Sequence, residues 1–368
     1  MSKKFLIGQL ACYGDCLYAT TIAKQIKHDY HNCHITWAIA SKYKSILDLN
    51  PYIDSVWEVY INDDDYYDIG WKLFEKEAFL RKEKGEFDVI IFSQISPLNW
   101  INFNGTIRGT ILSTYKRRIT ETVTPVIRLS KTEIEHVRSF ALKNRLQQYK
   151  NVILFECNPG SSQSKITPEL AIEISEKITE KNKDICFILT LPNKLNLTNT
   201  QIIDASKLTF RENAELTKYC TLLIGCSSGI TWLTTSDWAK KLPMLQLLDF
   251  KLPIYAGVHF DFELNNLDNS RIIEMGEFDF NNICRCIWSL LSEDFLEVKK
   301  KFHENYKPNT EHLYIQTRAL IYKNYSLLNI IVFAYKFIAC NYRHKNKLEL
   351  NYVNYMKWFL RKYMENHF

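Results

Sequence analysis

No C-x-x-C pair stands among the ten cysteines of this 368-residue chain. That absence excludes the paired thiolate sets that hold structural zinc. The cysteines sit singly, mostly inside apolar runs, and read as reduced thiols; the close pairs Cys12 with Cys16 and Cys284 with Cys286 read as packing residues. The chain also lacks the Walker and G-x-G-x-x-G spacings, so the usual nucleotide loops are missing. No apolar run approaches the roughly 20 residues that a membrane span requires. Low-complexity segments and short internal repeats are absent. The opening "MSKKFLIGQLAC" makes a poor signal peptide or acylation site, because its apolar run is short, runs straight into "YGD" and has Gln9 three residues before Cys12. A buried first strand and a cytoplasmic protein are expected.

The charge that is present is unevenly placed. Of a net +6, residues 299–368 carry 13 Lys and Arg against 4 Asp and Glu, while the rest of the chain is slightly acidic. A general nucleic-acid binder carries its basic surface on the folded domain, so nucleic acid is excluded as a partner. The basic tail fits either an anionic membrane surface or a solvated helix face.

At 46% apolar residues the chain is long enough for two cores. Short apolar runs alternate with helix-like stretches: "KFLIGQL", "HITWAIA", "SVWEVYI" and "FDVIIFS" in the first half, and "NVILFE", "DICFILTLP", "TLLIGC" and "LPMLQLLD" in the second. This is the pattern of beta-alpha-beta units on parallel sheets. Asp63 to Asp65 read as a solvated loop between two units. The expected organisation is α/β, with two doubly wound Rossmann-like domains over residues 1–149 and 150–295 facing a cleft, followed by a helical C-terminal extension over 296–368. Ligands are expected at the carboxyl ends of the strands. In the extension, "LLNIIVFAYKFIAC" is apolar nearly all round, which suits a helix packed on the domains or one seated in a bilayer interface.

Three stretches carry chemistry. "IGCSSGITWL" closes a strand with small residues and opens a helix at Ser227, Ser228, Gly229, Ile230 and Thr231, offering backbone amides and a helix dipole to a diphosphate. "NPGSSQSKITPE" repeats the device with Gly160, Ser161 and Ser162, and adds Lys165 just before a helix that Pro168 helps to start. In "GQLACYGDCLYATT", the lone carboxylate of Asp15 reads either as a helix cap or as a working group.

These segments, in this order, resemble glycosyltransferase family 9, the family of the ADP-heptose:lipopolysaccharide heptosyltransferases, which adopt the two-domain GT-B fold. "YGDCLYATT" resembles the family's Gly-Asp signature and "ILDLNPYIDSVWEV" the stretch that follows it. "VILFECNPGSSQSKITP" is similar to its Pro-Gly turn with Lys-x-Trp-Pro, and "LTFRENAELTKYCTLLIGCSSG" to its strand ending in Asp-Ser/Thr-Gly. The resemblance implies that Asp15 is the catalytic base, that Lys165 contacts the donor phosphates, and that the helix start at 228–231 holds the diphosphate. It departs where Ser227 replaces an Asp, Trp232 a His and Thr167 a Trp, so the donor is ADP-heptose or another nucleotide sugar.

The implied chemistry is a single displacement at an anomeric carbon, inverting and metal-independent. Asp15 at an ordinary carboxylate pKa takes a proton, and Lys165 with the helix amides stabilises the leaving group. Base and donor on different domains require the cleft to close. The nucleotide sugar is a co-substrate and no cofactor is implied. The acceptor is a glycan or lipopolysaccharide-type glycolipid, for which Arg108, Lys116, Arg117 and Arg118 offer a basic surface, at the inner face of the cytoplasmic membrane. Two other readings stay open: a non-catalytic nucleotide-sugar binder or membrane-associated scaffold of the same fold, and a hydrolase or epimerase acting on the donor.

Overall fold

The computed structural model describes residues 2–61, 69–160, 163–191, 193–194, 197–251, 257–276 and 278–367. Asp63 to Asp65, Ser161 and Ser162 lie outside them.

The first lobe holds β1 (Lys3–Gly8), β2 (Cys33–Ala40), β3 (Ser55–Val59) and β4 (Val89–Phe92), all parallel, in the order β3-β2-β1-β4. Phe5 on the central β1 lies opposite Ile35 and Val89. Helices cover both faces of the sheet, which is why β1 reads as a continuous apolar run rather than an alternation. α1 (Tyr13–Asp29) packs on one face and α2 (Ile69–Glu83) on the other, α3 (Ile107–Leu112) lies against α1, and α4 (Lys131–Lys143) packs against Glu212–Leu216 of the second lobe. A capping box between Ser130 and Glu133 starts α4.

The second lobe is a six-stranded parallel sheet of β5 (Asn151–Glu156), β6 (Ile185–Thr190), β7 (Ile202–Asp204), β8 (Leu222–Gly225), β9 (Met244–Leu247) and β10 (Ile272–Met275), in the order β10-β9-β8-β5-β6-β7. The strand order reverses between β5 and β8, so the loops that leave these two strands open the crevice where ligands bind in such sheets. Its helices are α5 (Pro168–Thr179), α6 (Glu212–Leu216), α7 (Gly229–Leu233), α8 (Val258–Leu264), α9 (Phe280–Ser292) and α10 (Phe295–Phe302). Thr167 caps α5 by accepting from the Leu170 amide at 3.3 Å, with Pro168 at the first helical position.

Three helices follow: α11 (Thr310–Tyr322), α12 (Leu327–Arg343) and α13 (Tyr352–His367). Their shared core of Leu320, Phe333, Phe337 and Phe359 closes over Phe103 of the first lobe, whose ring stacks on Phe337 at 6.2 Å. Truncating a buried aromatic such as Phe337 to alanine costs roughly 3–5 kcal/mol. The inner face of α12 is therefore a packed helix face, as one of the two readings of its apolar run expected. Among the described residues no helix is long and apolar enough to cross a membrane.

The eight strands expected from apolar runs all form, and the sheet gains two more, β7 and β10, of three and four residues. The stretch from Ser41 to Leu47 is a 3-10 helix, and the helix that "IGCSSGITWL" opens runs only from Gly229 to Leu233. Two threonine hydroxyls turn back on the chain there, Thr234 and Thr235 each donating to the carbonyl three residues earlier, while Thr231 donates to Glu156 at the end of β5.

Candidate active site between the lobes

The floor of the cleft is built by glutamines. Gln94, beyond the end of β4, accepts from the amides of Leu10 and Ala11, both at 3.0 Å, and Gln9 accepts from the Ser93 hydroxyl at 2.8 Å. The segment between β1 and α1 is thereby held to its neighbouring strand. It delivers the first turn of α1 to a cavity of about 820 Å³ bounded by both lobes.

Asp15 is in that first turn and lines the cavity. It is not the cap: Cys12 holds that position, with no side-chain cap bond. Asp15 is half-buried, and burial pushes its carboxyl up to about 7. The ordinary value expected from sequence is corrected on this physical ground, since desolvation disfavours the charged form and no neighbouring charge or hydrogen bond offsets it. Near neutral pH the group exchanges a proton readily.

The opposite wall is formed by Gly160, Gln163 and residues Ser227, Ser228, Gly229 and Ile230. Sequence reasoning missed its central member, Glu156 at the end of β5. This buried carboxylate accepts from the Ile230 amide at 2.7 Å, the Cys226 amide at 3.1 Å and the Thr231 hydroxyl at 2.5 Å. The Ser227 amide goes to Gln246 at 2.9 Å. The expected diphosphate cradle is corrected accordingly. Ile230 and Ser227 already spend their amides inside the protein, Thr231 is buried behind the wall, and α7 has only five residues. The signal for Glu156 was in the sequence, a single acid ending an apolar strand, because such a residue is rarely buried without a task.

Lys165 is exposed, its Nζ 3.5 Å from Asp249, and it is not among the cavity-lining residues. Among the described residues the cationic side chain that does line the cavity is Lys42, next to Tyr43 on the first lobe. Tyr13 joins these with Phe210 of the second lobe, stacking on it at 4.2 Å and meeting Tyr43 edge-on at 4.8 Å. Gly229 sits under this pair, where a Cβ would meet Phe210 at 3.0 Å and Tyr13 at 3.1 Å. Only glycine lets the lobes approach so closely there.

Arg108 is also placed differently from expectation. It is buried, with Nε 3.1 Å from Asp261 in an ion pair that makes no hydrogen bond, and Nη1 donates to the Val123 carbonyl at 3.1 Å. Its guanidinium lies over the rings of Tyr18 at 4.9 Å and Trp232 at 5.1 Å. Burial raises Asp261 to about 6, against the pull of Arg108. Arg108 therefore joins the lobes rather than forming an acceptor surface. Lys116, Arg117 and Arg118 are exposed, but Arg117 lies 3.9 Å from Asp29 at the far end of α1, about 20 Å along the helix from Asp15. None of the three lines the cavity.

The lobes are already joined in this conformation. Arg211 donates to Glu133 at 2.7 and 3.0 Å, to the carbonyls of Ser45 and Asp48, both at 2.8 Å, and to that of Arg128 at 2.5 Å. Trp232, standing where the resemblance places a His, wedges against Tyr18 at 4.8 Å. Asp15 and the 227–230 wall thus face one cavity without further closure. No disulfide involves any of the ten cysteines, and Cys12 is exposed at the cavity rather than a packing residue. Among the described residues no cluster of three or more His, Cys, Asp or Glu is arranged to hold a metal.

No protein-family model and no curated protein matches the chain. Solved structures do. A glycosyltransferase of family 9 from Veillonella parvula superposes with a TM-score of 0.55 at 15% identity, covering 82% of this chain and 95% of that one. The ADP-heptose lps heptosyltransferase II of E. coli gives 0.51 at 13% identity, over 78% and 98%. The chain shares the two-lobed GT-B fold of these glycosyltransferases.

Proposed function

With that shared fold as the premise, we propose that the protein is a glycosyltransferase that moves a sugar from a nucleotide-linked donor to an acceptor hydroxyl by a single, inverting displacement. The observation that carries this reading is Asp15, a half-buried carboxylate raised to about 7, facing the second-lobe wall across one cavity. Asp15 takes the proton of the acceptor hydroxyl as the hydroxyl oxygen forms its bond to the anomeric carbon. The bond to the donor phosphate breaks on the opposite face, so the anomeric configuration inverts. Positive charge for the leaving phosphate comes from Lys165, which exchanges its contact with Asp249 for the donor, and from Lys42 across the cleft; no metal enters the scheme.

The E. coli neighbour's name joins ADP-heptose to lipopolysaccharide. On that likeness the donor class proposed is a nucleoside-diphosphate sugar, ADP-linked or otherwise. The acceptor class is a glycan or glycolipid, and the place of action is the cytoplasmic face of the membrane. Glu156, Ser227 and Trp232 shape the donor wall, and because Ser227 and Trp232 depart from the residues the resemblance places there, the sugar is the heptose or another hexose-like sugar.

The test is thermal stabilisation by a panel of nucleotide sugars, followed by transfer assays with the donor selected. Wild type transfers with inversion, while Asp15→Asn is still stabilised by the donor but inactive. Donor consumption without an acceptor would make the protein a hydrolase or epimerase. Binding without turnover would make it a non-catalytic binder, and full activity in Asp15→Asn would remove the proposed base.

A further inference from the structure

The C-terminal helices have an outer face that the fold leaves uncovered. Along α12, Leu328, Ile331, Val332, Tyr335 and Tyr342 recur at helical spacing on the side opposite Phe333 and Phe337, and all five are exposed, Leu328 at 69% and Tyr335 at 71%. Water faces this stripe for the full helix, about 25 Å. Lys336 and Arg343 flank it, and α12 contains no acidic residue. On α13, which like α12 packs against α11, the pattern recurs, with Met356, Leu360 and Met364 exposed beside Lys357 and Arg361. Residues 326–368 carry seven Lys and Arg against two Asp and Glu.

We propose that this face seats the protein on an anionic lipid surface, with α12 lying in the interface plane. An apolar stripe edged by lysine and arginine matches acyl chains below and anionic headgroups around it. Tyrosines at its edge suit the same depth, presenting an apolar ring and a polar hydroxyl. A second copy is a poorer occupant, because a two-fold contact through this face sets Lys336 and Arg343 against themselves and their equivalents. The seat also has a geometrical use. Beneath α12, the segment from Trp100 to Ile107 packs against the helix core, while its Trp100, Thr106 and Ile107 line the cavity. A lipid surface on α12 therefore lies one helix away from the cleft wall, where a lipid-linked acceptor enters. The inference deepens the membrane location proposed above, but its test needs neither donor nor transfer.

The test is co-sedimentation of the full chain with mixed phosphatidylglycerol–phosphatidylcholine vesicles and with phosphatidylcholine alone. Wild type partitions to the anionic vesicles and is released by salt. The double variant Leu328→Asp with Ile331→Asp, at two exposed positions, lowers that partition by roughly tenfold or more. Lys336→Gln with Arg343→Gln lowers it several-fold and flattens the salt dependence. Unchanged melting and circular dichroism show that the variants fold. No uptake by wild type, or uptake untouched by the aspartates, overturns the proposal. Wild-type self-association in sedimentation velocity that the aspartates abolish, without vesicle uptake, assigns the face to a second copy instead.

Discussion

Two carboxylates face the same cavity from opposite lobes, and their surroundings differ in kind. Asp15 on the first lobe has burial without compensation, and its carboxyl rises to about 7. Glu156 on the second lobe accepts three hydrogen bonds that tie β5 to the loop leaving β8. The first arrangement leaves a group poised to move a proton; the second leaves a group wholly occupied in holding a loop. On the proposed reading, one residue class therefore supplies a working group and a structural pin within one pocket, and hydrogen bonding separates the roles.

The sharpest way to break this comparison is to remove the proton-accepting ability of Asp15. Asp15→Asn should lower transfer by roughly 10²–10⁴-fold, the usual worth of a general base. In the wild type, kcat/KM should rise with pH through about 7, because the base works only when ionised. Stability should move the other way. A carboxylate whose folded pKa lies above its unfolded value destabilises the fold once pH passes the unfolded value, fully so above about 7. Asp15→Asn should therefore melt about 2–4 °C higher than wild type at pH 8 and lose that advantage toward pH 4. A melting difference independent of pH would show that Asp15 is a structural pin of the same kind as Glu156.

A third carboxylate, Asp261, extends the contrast, since it is buried and held by the Arg108 ion, with only one long hydrogen bond, from Asn265 Nδ2 at 3.5 Å. Arg108→Leu strands it in the interlobe core, at a cost of roughly 3–5 kcal/mol by denaturant unfolding. The loss should be larger at pH 8 than at pH 5, where Asp261 is protonated in the variant and needs no partner. An Arg108 variant of normal stability with a raised acceptor KM would return this residue to the acceptor site.

For Glu156 the two substitutions part company. Glu156→Ala leaves the amides of Cys226 and Ile230 without an acceptor and the Thr231 hydroxyl with only its longer 3.4 Å bond to Gln246, at about 1–3 kcal/mol for each amide that water does not reach. Glu156→Gln keeps an acceptor and removes the charge. It should cost less and should tighten binding of a nucleoside diphosphate by roughly tenfold, because a negative charge leaves the side of the cavity proposed for the phosphates. Calorimetric titration of both forms reads this directly; equal affinities would place the phosphates elsewhere in the cleft.

What was legible in the sequence follows the same physics. Parallel strands covered on both faces announce themselves as apolar runs, so eight of the ten strands among the described residues could be read, while β7 and β10 are too short to stand out. The turn carrying Asp15 could be read from its residue types, but its pKa could not, because that depends on which groups the other lobe does or does not bring near. Arg108 misled for the same reason. In "IRGTIL" it resembles a helix-face cation, and only the approach of Tyr18, Trp232 and Asp261 from three separate elements shows that it is interior. Local pattern reports the periodicity of one element; a site between two lobes is set by pairs of elements far apart in sequence.

The smallest expected effect tests that distinction on the basic residues that follow α3. Lys116, Arg117 and Arg118 have the composition of an anion-binding surface, yet they stand at the end of α1 remote from Asp15 and outside the cavity lining. Their replacement together by alanine should leave kcat/KM for the acceptor within about twofold. It should cost under about 1 kcal/mol, since Arg117 is exposed, its contact is long at 3.9 Å, and Asp29 keeps the hydrogen bonds from Tyr115 and Gln25. A large rise in acceptor KM in this variant, at unchanged stability, would mean that the acceptor extends along α1 well beyond the cavity. The first lobe would then recognise its substrate over its surface, while the second holds its ligand in a pocket.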